Sequence, residues 1–141
     1  MKDKNGKEVA PDVFYLTHRL TPEALFFNLG EFATDTKGNF RFPSLDEIDK
    51  KLRALGIGRE IAVVCYSNDG AMTNARAAVI LSCFGVKSVK VLSHTHELPE
   101  QTDLKTAPIA KGKDFNFEKR EHDYFASAEE IKDIITGGSS V

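Results

Sequence analysis

Residues 61–92 read IAVVCYSNDGAMTNARAAVILSCFGVKSVKVL, and this stretch decides the fold class. Ile61, Ala62, Val63, Val64 and Cys65 run together without a polar interruption. A strand of that composition is the kind covered on both faces, as in the centre of a parallel sheet. Ser67, Asn68, Asp69 and Gly70 then form a polar, turn-prone segment. A small-residue helix is expected over residues 73–84, stopped by Gly85 as its C-terminal cap. Residues 89–92 form a second β-branched run and complete a strand–helix–strand unit. Such units are right-handed crossovers between parallel strands. In open α/β sheets ligands sit beyond the carboxyl ends of the strands, where a loop feeds a helix. Here that loop holds Cys65, Tyr66, Ser67, Asn68, Asp69, Gly70, Ala71 and Met72, with Thr73 opening the helix.

Composition narrows the partners. A chain of 141 residues makes one domain, and its apolar content fills one core. The net charge is −2 with both signs interspersed, so no basic stripe points to nucleic acid or an anionic membrane. No apolar run approaches the ~20 residues that span a bilayer. The opening MKDKNGKEVAPD is too polar for a signal peptide. Two cysteines are no disulfide framework and suit a reducing compartment, with at most one reactive thiol.

Outside the central unit, residues 1–12 read as a flexible arm and residues 13–16 as a short edge strand. Thr21 and Pro22 mark a turn, residues 24–29 read as a strand, and residues 30–41 as a polar loop. Ser44, Leu45, Asp46 and Glu47 spell a capping box. Leu45, Ile48, Leu52 and Leu55 follow at helical spacing, and Gly56 and Gly58 end the helix. Residues 93–112 read as loop, and residues 114–124 as a short edge strand around Phe115 and Phe117. Ser127, Ala128, Glu129 and Glu130 spell a second capping box, opening a helix on which Ile131, Ile134 and Ile135 share a face.

The motifs together resemble a rhodanese domain, the sulfurtransferase module of the thiosulfate and mercaptopyruvate sulfurtransferases. Thr73, Arg76, Phe84, Gly85, Val89, Val91 and Leu92 fall where that family's helix and "fG…V.vL" strand expect them. Ala24, Leu25, Phe26, Phe27, Asn28 and Leu29 resemble its "GA.ffdl" strand. Phe42, Pro43 and Ser44, then Leu55, Gly56 and Ile57, resemble its "lPs…lGi" helix. The resemblance implies a doubly wound, parallel-cored α/β sheet with helices on both faces. It also implies a domain shortened at its N-terminal end, similar to the first, noncatalytic domain of tandem members. The expected division is an arm over 1–12, the rhodanese-like domain over 13–112, and a linker-like segment with a C-terminal helix over 113–141.

In that family a strand-end cysteine carries sulfane sulfur as a persulfide, which makes Cys65 the candidate catalytic residue. A thiolate facing backbone N–H groups and a helix N-terminus has a lowered pKa. The opposing reading is a cysteine finishing a buried strand, and two features favour it. The family's strand register sets Tyr66, not Cys65, at the nucleophile position, and one residue's shift turns a side chain to the other face. Seven residues separate Cys65 from Thr73, and six separate Tyr66 from it, which resembles the longer loop of the noncatalytic domain. The loop from Tyr66 to Thr73 offers backbone N–H groups to an anion, but its charged residue is Asp69, which repels one. Arg76 reads as a structural or domain contact, and Cys83 as core packing.

His94 and His96 stand two apart on an expected extended segment and face one side, with Glu97, His18 and His122 the remaining ligands for a metal. Two histidines in a loop are more often surface residues, so no metal is assigned. Ser67 lacks a nucleophile elbow. The tyrosine-phosphatase loop fails because the position six after Cys65 is Ala71, not arginine. Three functions follow: a degenerate rhodanese-like domain kept for binding or assembly, an active sulfurtransferase working through Cys65, or a small-anion or metal module. No cofactor is expected. The expected partners are a small sulfur-containing anion and a protein partner or second rhodanese-like domain. The resemblance implies a cytoplasmic or, alternatively, mitochondrial location.

Overall fold

The computed structural model describes residues 5–10, 15, 18–31, 36–39, 41–67, 71–92, 109–120 and 125–137, the side chain of Ala71 excepted. It is a mixed α/β protein built on the expected strand–helix–strand unit. Strand β1 (Ala62–Cys65) pairs in parallel with β2 (Ser88–Val91), Ala62 opposite Ser88 and Cys65 opposite Val91. Helix α2 (Ala71–Cys83) makes the crossover, and Gly85 closes it at a positive φ of 97°.

Helix α1 (Leu45–Leu55) precedes this unit and carries the capping box in full. The Ser44 hydroxyl accepts from the Glu47 N–H, and the Glu47 carboxylate accepts from the Ser44 N–H. Ile48 and Leu52 of α1 are fully buried against Ile57, Ile80, Leu81, Phe84 and Val86, which together make the core. Phe42 extends that core by stacking on Phe84 at 5.6 Å. Cys83 is buried as expected.

The structure corrects four local expectations. Residues 24–28 run without a strand ladder and end in a 3₁₀ turn, Leu29–Glu31. Leu25, Phe27 and Leu29 still alternate onto the core, so period-two alternation set the extended backbone but supplied no pairing partner. Tyr15, the described residue of the expected first edge strand, is helical. Val13, Phe14 and Leu16 lie outside the described residues. Residues 114–120 form no strand, because their backbone groups go to turns and helix ends: the Arg59 N–H donates to the Asp114 carbonyl, and the Arg120 N–H to that of Cys83. β1 is also not covered on both faces. Cys65 turns into the core, whereas Val64, on the opposite face, is 58% exposed. Among the described residues the sheet has two strands, and α2 packs on one face.

A backbone seam joins α1 to the later chain. Gly56 ends α1 in the left-handed region, φ 69°, and its carbonyl accepts from the Gly112 N–H at 2.7 Å. The Leu55 carbonyl accepts from the Ala110 N–H at 2.8 Å. A Cβ on Gly56 would stand 2.0 Å from the Ala110 oxygen, and one on Gly112 2.2 Å from the Gly58 nitrogen. Glycine is required at both places for want of room. Helix α3 (Ala128–Ile135) carries the second capping box, Ser127 with Glu130, and buries none of its residues. Among the described residues no helix is long and apolar enough to cross a membrane.

Candidate functional site

The sequence directs attention to the carboxyl end of β1, and a cleft opens there. Its volume is about 650 Å³. Residues 23–30 line one side and residues 61–67 the other, with Thr73, Asn74, Ala77 and Leu81 of α2 between them. Tyr15 and His18 also line it. The cleft exists because the chain over 24–28 is extended but unladdered, so it stands off from β1 instead of pairing with it. Its walls are mainly apolar, and Glu23 and His18 are the ionisable side chains among those lining it besides Cys65, Tyr15 and Tyr66.

Cys65 lines the cleft with 9% of its surface exposed and otherwise belongs to the core. Burial pushes its thiol pKa up to about 11. That inverts what a persulfide-forming cysteine requires: at neutral pH the thiolate fraction is roughly a hundredfold below that of an ordinary cysteine. Tyr66, the next residue, also lines the cleft and is half-buried, its hydroxyl accepting from the Leu20 N–H at 3.0 Å. Ser67 and Thr73 line the cleft with it. Met72 is 74% exposed and Arg76 is half-buried on α2; neither lines the cleft. Asn68, Asp69, Gly70 and the side chain of Ala71 lie outside the described residues, as do His94, Glu97, His96 and His122. Among the described residues no group of three His, Cys, Asp or Glu side chains is placed to hold a metal ion.

Three residues that the sequence reading passed over stand at or beside the site. Tyr15 donates its hydroxyl to the Ala24 carbonyl at 2.7 Å and stacks on Phe26. Its phenol pKa is raised by burial, against the lowering effect of Arg19, with Tyr66 adding to the rise. Arg19 is fully buried beneath Tyr15, guanidinium carbon 4.2 Å from the ring centre, and donates to the Tyr15 and Pro22 carbonyls. Nothing in its local sequence marks it as buried. Asn74 sits in the first turn of α2 with 3% of its surface exposed. Its one signal was its type, since asparagine early in a helix often serves a polar contact rather than the helix itself. The Asn74 Nδ2 donates to the Leu92 carbonyl at 3.1 Å, which ties the helix to the end of β2.

No family model, curated protein or solved structure matches the chain.

Proposed function

We propose that the chain is a rhodanese-like domain that binds ligand in the cleft at the carboxyl end of β1 and does not carry sulfur. The doubly wound fold belongs to this proposal. It is supported by the parallel strand–helix–strand unit and by α1 ending at the glycine turn before β1. One observation carries the functional reading: Cys65 is a core residue whose burial holds the thiol protonated. A protein partner or second rhodanese-like domain remains part of the proposal, as cover for the exposed face of β1 around Val64.

The competing activity makes a sharp test, because Cys65 still touches the cleft. In that reaction the Cys65 thiolate attacks the outer sulfur of thiosulfate. The S–S bond of thiosulfate breaks, sulfite leaves with the electron pair, and a persulfide remains on Sγ. The protein is incubated with thiosulfate or mercaptopyruvate, and the intact mass is taken for the native chain and Cys65→Ser. The expected result is no added sulfur on either, and no alkylation of either cysteine by iodoacetamide until the protein is unfolded. A one-sulfur adduct removed by cyanide and missing from Cys65→Ser overturns the proposal in favour of a sulfurtransferase.

A further inference from the structure

Helix α3 is eight residues long, short of the about 12–15 that keep an isolated helix even marginally stable in water. It nevertheless has a complete N-terminal cap and an apolar side of Ile131, Ile134 and Ile135, and none of its residues is buried. A helix built this way is completed by a surface that covers its isoleucines.

The chain leaves such a surface open on β1. Val64 is 58% exposed on the face turned away from the core, and Ala62, two residues before it, is exposed on the same face. Lys90 stands opposite Val64 on β2 and is also exposed. Residues 23–30 line the cleft beside β1 and no residue of β2 does, so β2 and residues 23–30 flank β1 on opposite sides. The exposed apolar pair therefore has a cation, Lys90, on one flank and a carboxylate, Glu23, on the other.

Helix α3 carries the matching pattern. At about 3.6 residues per turn, Glu130 and Lys132 border its isoleucines on opposite sides. Laid along β1 in one direction, Glu130 meets Lys90 and Lys132 meets Glu23. In the reverse direction like charges meet, so the charges choose the orientation. Within its own chain α3 leaves both Val64 and its own isoleucines exposed.

We infer that α3 of one copy lies on the exposed face of β1 in a second copy, over Val64 and Ala62, and that the exchange is reciprocal about a twofold axis. This rests on the reading that a protein partner covers Val64, and names that partner as a second copy of the chain. One contact of three isoleucines falls short of a standard interface, and twofold symmetry doubles it. So small an interface is expected to dissociate at about 0.1 mM, which leaves the chain monomeric at micromolar dilution.

Sedimentation equilibrium on the full chain, from about 5 µM to about 1 mM, reads the association directly. The mass is expected to rise from one chain toward two. Ile134→Glu alters an exposed position and is expected to stay folded by circular dichroism and monomeric throughout. Lys132→Glu is expected to weaken association about threefold, and adding Glu23→Lys to the same chain to restore it. A native chain that is monomeric at the highest concentration overturns the inference, and so does an Ile134→Glu chain that still dimerises. Val64→Cys and Ile134→Cys are then mixed and oxidised with copper phenanthroline, and the intact mass separates mixed from like dimers. Mixed dimers are expected; like dimers alone set strand on strand or helix on helix and overturn the inference. Neither readout depends on sulfur transfer. A persulfide on Cys65 with the dimer intact overturns the proposed function alone, and a monomer without persulfide overturns this inference alone.

Discussion

Helices α1 and α3 begin with the same device and end in opposite circumstances. Each opens on a serine whose hydroxyl accepts from the N–H three residues on, where a glutamate returns the bond. Each also gathers its apolar residues on one side. Yet Ile48 and Leu52 of α1 are sealed in the core, while Ile131, Ile134 and Ile135 of α3 stay exposed, the last at 78%. The capping box fixes where a helix starts and the periodicity fixes which side is apolar. Neither decides whether a neighbour arrives to cover that side.

The contrast is open to direct attack. The largest effect is expected from Leu52→Ala, which empties a fully buried position and is expected to destabilise by about 3 kcal/mol in urea unfolding. Ser44→Ala removes the α1 cap and is expected to cost about 1 kcal/mol in the same measurement. Glu47 gives a pH signature. Its carboxyl pKa is lowered to about 2, chiefly by the hydrogen bond from Arg41 and then by the Ser44 N–H. A folded pKa below the unfolded value means that this stability is complete above about 4.5 and is lost as pH falls toward about 2. Because the pair is partly exposed, the loss is expected to be about 0.5–1 kcal/mol, and Glu47→Gln flattens the profile over that window. The smallest effect belongs to α3: Ile134→Ala is expected to change global stability by less than about 0.5 kcal/mol. Should it rival Leu52→Ala, α3 is packed in solution and the contrast collapses.

The same distinction explains what could be read from the sequence. The existence and order of β1, α2 and β2, the stop at Gly85 and both capping boxes rest on residues within a few positions of one another, and those readings agree with the structure, the element ends shifting by one or two residues. Residues 24–28 show the limit. Leu25 and Phe27 do pack against the core, but a ladder needs a second strand at the right distance, which no local pattern encodes. The cleft follows from that standing-off of 24–28 from β1, so it was illegible for the same reason. Cys65 was weighed from the sequence as nucleophile or core residue, and the structure places it in the core, 9% exposed. Arg19 and Asn74 escaped notice because what sets them apart, an unanswered polar atom, is a property of packing rather than of spelling.

The glycine seam has a consequence for how the protein is made. Synthesis delivers α1, β1, α2 and β2 before residues 109–120 leave the ribosome, and an N-terminal part folds as it emerges. Through that interval the carbonyls of Leu55 and Gly56 face water, waiting for Ala110 and Gly112. The newborn unit is thus an unfastened garment, its hooks supplied by a later stretch of the chain. A side chain at Gly112 would collide with the backbone of Gly56 and Gly58 and leave the fastening undone, and one at Gly56 would strain the cap of α1 as well.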